Sequence, residues 1–168
     1  MGIFHEISPS ELKKTPFEMI GKDWMLVTAG NHNKVNTMTA SWGGLGVMWG
    51  KDVAFTVIRP QRYTKEFIDR EETVSLSFYN ENYRKQLSLL GSVSGRDRDK
   101  ISECGLTTVF DGETPYFEEA DIVLICRKKF AQPFMEESFL DTELLTKWYP
   151  EKDYHTLYIL EIEKVLIK

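Results

Sequence analysis

The chain has few of the residues that build disulfides and metal sites. Its 168 residues include two cysteines, Cys104 and Cys126, and three histidines that are far apart in sequence. Neither cysteine has a second ligand residue at the spacing of a metal site, and two cysteines in unlike contexts do not make a disulfide framework. We therefore expect no metal, and a reducing, cytoplasmic compartment is the simplest setting.

Runs of like charge and long apolar runs are also missing. The net charge is −5 and no arm is rich in Lys and Arg, which argues against a nucleic-acid partner. The first ten residues, MGIFHEISPS, lack a basic region followed by an apolar run, so we expect no signal peptide. No apolar stretch has the length of a membrane span, and we expect no membrane partner. Length and composition fit a single globular domain over residues 1–168.

The common nucleotide-binding and nucleophile motifs are absent too. The segment GGLGVMWGKD is rich in glycine, and we expect it to be a loop. It does not fit a dinucleotide fingerprint, because Trp49 stands where a third glycine is needed. It does not fit a phosphate-binding loop either, because Asp52 stands where Ser or Thr is needed. No serine lies in a nucleophile elbow.

Hydrophobic periodicity predicts about six strands with helices inserted between them. The helical patterns cover residues 8–12, 59–71, 80–92 and 94–105, and the strand patterns cover residues 24–30, 35–42, 53–58, 73–79, 121–131 and 154–168. Residues 53–58 are apolar on both faces, 73–79 alternate, and the last strand changes face at Lys164, which indicates a bulge. The short NHNK turn and the half-polar strands favour a closed or split antiparallel barrel over a doubly wound sheet.

Three segments combine small polar side chains with a cation or glycine: NTMTASW, RPQRYT and GSVSGRDRDK. Together they could hold a phosphate, since arginine and hydroxyl groups donate to phosphate oxygens. Helix N-termini expected at Tyr63–Thr64 and Ser94–Gly95 would add free N–H groups. The alternatives are structural: Ser94 or Thr64 as a helix cap, and Arg59 in a surface ion pair.

Taken together, these segments resemble the flavin reductase-like, FMN-binding split-barrel family, in its flavoredoxin-like branch. The resemblance is carried by NTMTASWGGLG, VAFTVIRPQRYTKEFI, LSFY and GSVSGRDRDK, and more weakly by YHTLYILEIEKV. It implies a mainly β fold, a six-stranded Greek-key split barrel with inserted helices. It also implies a homodimer with one FMN near each end of the interface, and NADH or NADPH as reductant.

The resemblance further implies residue roles. The strand that carries Thr39 and Ser41 would line the isoalloxazine ring, and Arg59, Tyr63 and Thr64 would hold the ribityl phosphate. Ser92, Ser94 and Gly95, with Lys100 as a further candidate, would come close to the flavin tail or the opposite face. His155 would lie near the flavin and its reductant. From their flat side chains, Trp42, Trp49, Trp148 and Tyr149 are candidates for the walls of the ring slot, with core packing as the alternative role that we favour for at least two of them. The predicted cofactor-binding residues are Asn36, Met38, Thr39, Ala40, Ser41, Trp42, Arg59, Tyr63, Thr64, Ser92, Ser94, Gly95 and Lys100.

The sequence is compatible with three functions. The first is an FMN-dependent oxidoreductase, which needs no catalytic triad because the flavin carries the hydride and electron chemistry. The second is a non-catalytic, flavoredoxin-like electron carrier that passes electrons to a protein partner. The third is a barrel that binds no flavin and serves protein contacts.

Overall fold

The computed structural model describes residues 2–168, which fold around one large antiparallel sheet. Single turns of tight helix at Pro9–Glu11, Glu81–Tyr83 and Glu136–Ser138 and a wider turn at Phe17–Lys22 supplement the regular elements. The strands are β1 His5–Ile7, β2 Met25–Gly30, β3 Val35–Ala40, β4 Gly43–Met48, β5 Lys51–Ile58, β6 Thr73–Phe78, β7 Thr108–Asp111, β8 Thr114–Phe117, β9 Ile122–Pro133 and β10 Thr156–Ile167. The helices are α1 Tyr63–Arg70, α2 Arg84–Ser92, α3 Lys100–Glu103 and α4 Glu143–Trp148.

The main sheet has the strand order β3-β2-β6-β9-β10-β5-β4, with β1 paired to the far end of β10. Its two outermost strands, β3 and β4, are consecutive in the chain and are separated only by Ser41 and Trp42. The sheet must therefore curl until these two edges approach each other. A buried apolar cluster fills the inside, and a second cluster lies outside it, beneath α2 and the β7–β8 hairpin. The mainly β, split-barrel prediction is confirmed.

The glycine-rich segment is a strand, so the prediction of a loop there is wrong. Residues 43–48 form β4, which pairs with β5 through a two-residue turn at Trp49–Gly50. Both turn residues have positive φ, as the tight turns that match strand twist require. Gly44 lies directly against the ring of Phe55, where any Cβ would clash. Glycine here makes room for an aromatic ring on the neighbouring strand.

Burial differs from the prediction in two strands. β6 was expected to have one polar face, yet Ser75 and Ser77 are fully buried because the β7–β8 hairpin covers that side. The Ser75 hydroxyl donates to the Pro115 carbonyl oxygen at 2.6 Å. β5 was expected to be buried on both faces, yet Phe55 is 40% exposed. The β7–β8 hairpin therefore accounts for the burial of Ser75 and Ser77.

Helix placement agrees except in residues 94–105. The structure has only a short helix there, α3, capped by Asp99, whereas Ser94–Asp97 form a turn. The predicted helix N-terminus at Ser94–Gly95 is therefore wrong. The β2–β3 hairpin, helix α1 and the bulge before Lys164 are present as predicted. Within residues 2–168, no helix is both long and apolar enough to cross a bilayer.

Candidate functional site

Two adjoining cavities open where β3 ends and the chain passes from β5 into α1. They share Met38 and Arg62. The cationic cavity, of about 140 Å³, is lined by Asn36, Met38, Gln61, Arg62, Tyr63, Thr64, Gly91, Ser92, Val93, Ser94 and Lys100. The aromatic cavity, of about 210 Å³, is lined by Met38, Thr39, Ala40, Ser41, Trp42, Val57, Arg59, Arg62, Trp148 and His155.

The cationic cavity contains two cations whose hydrogen-bond acceptors are backbone carbonyls. The Lys100 ammonium donates to the carbonyl oxygens of Leu90 at 2.8 Å and Val93 at 3.0 Å, and this residue is only 3% exposed. The Arg62 guanidinium donates to the carbonyl oxygen of Gly91 at 3.0 Å. Throughout residues 2–168, no carboxylate lies within 4.0 Å of either charge. Both cations thus lie at the C-terminal end of α2, where the free carbonyls favour positive charge.

Burial changes the acidity of both groups. The pKa of Lys100 falls to about 8, first because the ammonium loses solvation and second because Arg62 is nearby. Burial also lowers the pKa of Arg62. A charge that is removed from water without a counterion is costly, and a buried and a half-buried cation facing one cavity are stabilised when an anion binds between them. The geometry therefore fits an anionic ligand.

Hydroxyl and amide groups surround these cations. Thr64 lies in the first turn of the eight-residue helix α1, and its Oγ1 accepts a hydrogen bond from Asn36 Nδ2 at 2.9 Å. The N-cap is Arg62, whose side chain does not cap the helix, so Thr64 is not the cap and the first N–H groups remain free. Gly95 approaches the Asn36 side chain so closely that a Cβ there would overlap it. Ser92 and Ser94 supply two further hydroxyls.

The aromatic cavity is bordered by flat side chains from two distant segments. The Trp42 ring centroid lies 4.9 Å from that of Trp148, edge to face, and 5.1 Å from that of His155. Trp42 and Trp148 are 38% and 39% exposed, whereas His155 is 7% exposed. The segment between β9 and β10 therefore folds back over the end of β3 and forms one side of this cavity.

His155 is held from behind by Tyr149. The Tyr149 hydroxyl lies 2.6 Å from His155 Nδ1, and both residues are buried. Burial and the nearby charge of Arg59 lower the pKa of His155 to about 4, and burial raises the pKa of Tyr149. Both side chains are therefore neutral around pH 7.

Arg59 is already engaged within the protein. Its guanidinium forms an ion pair with Asp153 at 2.8 Å, donates to the Trp148 carbonyl oxygen at 2.9 Å, and lies 5.0 Å from the Tyr149 ring centroid. It anchors the segment that carries Trp148 and His155 to the end of β5.

The structure brings nearly all of the predicted site residues to these two cavities. Gly95 lies just beyond, in a neighbouring open groove that shares Asn36 and Lys100 with the cationic cavity. The Thr39 hydroxyl donates to the Leu87 carbonyl oxygen at 2.5 Å. The binding roles of the predicted site residues remain predictions.

Two of the residues proposed for the slot walls are not there. Trp49 lies at the tip of the β4–β5 hairpin, near Phe130, with ring centroids 6.4 Å apart. Tyr149 lies behind His155 rather than beside the cavity. The sequence reasoning also missed Arg62 as a site residue, although it lies within the RPQRYT segment. Among the described residues, no group of three His, Cys, Asp or Glu side chains could hold a metal ion.

Comparison with known proteins gives a consistent result. The model of the flavin reductase like domain family matches residues 19–168. No curated protein sequence matches the chain. A flavoredoxin from Methanosarcina acetivorans has a similar structure, with a TM-score of 0.69 at 19% identity, over 87% of this chain and 68% of that one.

Two further solved structures share the fold. An FMN-binding domain of a flavin reductases-like enzyme from Shewanella baltica OS155 gives a TM-score of 0.70 at 16% identity, over 98% of this chain and 77% of that one. An FMN-binding protein from Thermus thermophilus gives 0.68 at 20% identity, over 98% and 79%.

Proposed function

The chain belongs to the flavin reductase-like domain family, and we propose that it binds FMN at a homodimer interface and acts as an NADH- or NADPH-dependent flavin oxidoreductase. The observation that carries the proposal is a pair of cations, the buried Lys100 and the half-buried Arg62, beside an aromatic cavity. A ligand that uses both cavities needs a flat ring at one end and an anion at the other.

The cationic cavity fits the phosphate of FMN. Arg62 and Lys100 would donate charge-assisted hydrogen bonds, and the Thr64, Ser92 and Ser94 hydroxyls with the first N–H groups of α1 would supply neutral ones. Arg59 was the cation expected for this role, but it is paired with Asp153 and lines the other cavity. The proposal therefore moves the main phosphate contact to Arg62.

The aromatic cavity fits the isoalloxazine ring. Ala40 and Ser41 are small and allow the backbone of β3 to approach a planar group, and Trp42 closes the end of the strand. A bound flavin would supply the hydride and electron chemistry, which explains why the chain needs no triad of its own. The protein then has to bind the ring, orient it and limit its contact with water.

An exposed apolar face supports the dimer. Because paired residues on neighbouring strands point to the same side, Phe55, Ile159 and Phe130 form one row across β5, β10 and β9. Phe55 and Phe130 are 40% and 42% exposed, and Trp49, whose ring centroid lies 6.4 Å from that of Phe130, is 59% exposed. Exposed apolar side chains gathered on one face are typical of protein interfaces.

This face continues into the aromatic cavity. Val57 pairs with Leu157 in the next row along the same strands, and Val57 also lines that cavity. A second copy of the chain seated on the face would therefore border the ring site. This continuity is why we place FMN at the interface of two protomers.

The first experiment is a titration of the purified protein with FMN, followed by flavin fluorescence quenching and the visible absorption spectrum. We expect saturable binding. Anaerobic addition of NADH or NADPH to the complex should then bleach the flavin absorbance. Absence of FMN binding would refute the proposal. Binding without bleaching by either nucleotide would refute the reductase activity and favour an electron carrier that is reduced by a protein partner.

A further inference from the structure

The contact between Tyr149 and His155 restricts where the imidazole can carry its proton. The Tyr149 oxygen and His155 Nδ1 are 2.6 Å apart, so one of these atoms donates a hydrogen to the other. If Nδ1 were the donor, the Tyr149 hydroxyl would have to find another acceptor. Within residues 2–168 its only hydrogen-bond partner is His155. Donation from the tyrosine to Nδ1 satisfies both groups.

The second ring nitrogen then bears the hydrogen. A neutral imidazole has one protonated nitrogen and one acceptor, so an accepting Nδ1 leaves the hydrogen on Nε2. Among the described residues, Nε2 makes no hydrogen bond, and it is not one of the buried atoms that lack a partner. Since His155 lines the aromatic cavity, Nε2 is the atom that this residue can offer to a ligand.

We propose that Tyr149 is a positioning residue that holds His155 as the neutral tautomer protonated on Nε2, so that His155 presents an N–H donor to the aromatic cavity. The ligand atom that it fits is an acceptor without a hydrogen, such as a carbonyl oxygen or an unprotonated ring nitrogen of the flavin or of its reductant. This inference rests on the proposed function for the identity of the ligand, but not for the tautomer.

The charges around the imidazole agree with a neutral ring. Arg59 lies next to Tyr149 and opposes a second positive charge on His155, whereas Asp153, its ion-pair partner, acts in the other direction. Burial disfavours the charged ring most strongly, and the pKa of His155 is about 4. At pH 7 His155 is therefore a hydrogen-bond donor that keeps its hydrogen, rather than a general acid.

The test is long-range ¹H–¹⁵N NMR of the histidine rings in the ¹⁵N-labelled, flavin-free protein at pH 7. Loss of one set of signals in a His155→Gln variant assigns His155 among the three histidines. We expect a protonated Nε2 and an unprotonated Nδ1. A ring protonated on Nδ1, or on both nitrogens, overturns the proposal whatever happens to flavin binding.

Two variants test the role of Tyr149. Tyr149→Phe keeps the buried ring next to Arg59 and removes only the hydroxyl, so we expect a mixture of both neutral tautomers. Tyr154→Phe is the matched control, because the Tyr154 hydroxyl bonds to Glu136 instead, at 3.0 Å, and this variant should keep the wild-type spectrum. An unchanged tautomer in Tyr149→Phe, with native circular dichroism, would overturn the positioning role.

A ligand readout completes the test. On addition of FMN, or of FMN followed by the oxidised nicotinamide nucleotide, the Nε2–H resonance of the wild type should shift. If FMN binds, as the quenching titration reports, but neither ligand shifts this resonance, the donor role is refuted while the flavin site stands. If FMN does not bind at all, the proposed function fails and the ligand role falls with it, whereas the tautomer result remains valid.

Discussion

Replacement of Arg62 by methionine separates the phosphate contact from all other parts of the site. Methionine keeps an unbranched apolar stem, so the wall shared by the two cavities stays filled while the charge is lost. A hydrogen bond to a charged group contributes about 1.5–3 kcal/mol, so the Kd for FMN should rise about 10- to 150-fold. Riboflavin has the same ring and no phosphate, and its Kd should change less than about threefold.

The same substitution should not greatly destabilise the flavin-free protein. It removes one hydrogen bond to the Gly91 carbonyl oxygen, worth about 1 kcal/mol, and also removes a half-buried charge that has no carboxylate partner. We expect the free energy of unfolding to stay within about 1 kcal/mol of the wild type or to increase. Arg59→Met should instead lose about 1 kcal/mol, because the ion pair with Asp153 and the hydrogen bond to the Trp148 carbonyl oxygen are both lost, and Asp153 keeps only its hydrogen bond from Gln61.

The assay combines fluorescence-quenching titrations of FMN and riboflavin with urea unfolding of the flavin-free proteins. Arg98→Met is the control, since Arg98 is an exposed residue paired with Glu103. It should change neither affinity nor stability by a measurable amount. An equal loss of FMN and riboflavin affinity in Arg62→Met would refute the phosphate assignment. A selective loss of FMN affinity in Arg59→Met would return the role to Arg59.

Three further predictions follow from burial. Lys100 should lose its charge as the pH rises through about 8, so FMN affinity, but not riboflavin affinity, should fall in titrations between pH 7.5 and 9.5. The pKa of His155 lies below its usual 6.5, at about 4, so the unfolded chain takes up a proton first. The free energy of unfolding should fall as the pH drops from about 6.5 to about 4, by about 1–2 kcal/mol after solvent screening, and the wild-type minus His155→Gln difference in urea unfolding should show it. Phe55→Asp should be a monomer in light scattering and should bind FMN more weakly in the titration. Leu140→Asp, at a fully exposed apolar residue outside β5, β9 and β10, should behave like the wild type. A monomeric wild type would refute the dimer.

Local pattern was sufficient to predict most of the sheet. The β2–β3 hairpin, α1 and the bulge in β10 depend on turn residues and periodicity that lie within a few positions of one another. The failures have tertiary causes. The glycines of β4 looked like a loop because the ring they accommodate, Phe55, comes from the neighbouring strand. Ser75 and Ser77 looked exposed because the hairpin that covers them comes about thirty residues later in the chain.

In the candidate site, too, local sequence predicted some features, and others depended on tertiary contacts. Residue types and motifs in the sequence grouped Thr64, Ser92, Ser94 and Lys100 into one candidate site, and all four line the cationic cavity. The choice between Arg59 and Arg62 could not be made from sequence, because both lie in RPQRYT. The deciding fact is the ion pair between Arg59 and Asp153, a residue more than ninety positions away. The Tyr149–His155 contact had no sequence signal beyond the short spacing of the two residues.

The segment from Arg59 to Thr64 also explains why one elongated ligand suits this site better than two small ones. It leaves the end of β5 with Arg59 facing the aromatic cavity and enters α1 with Thr64 facing the cationic cavity, while Arg62 borders both. A ring alone leaves Lys100 and Arg62 without an anion, and a phosphate alone leaves Trp42 and Trp148 in contact with water. A ligand that joins the two groups pays the entropy of association once and satisfies both cavities. FMN should therefore bind more tightly than riboflavin, and inorganic phosphate should compete with FMN only weakly.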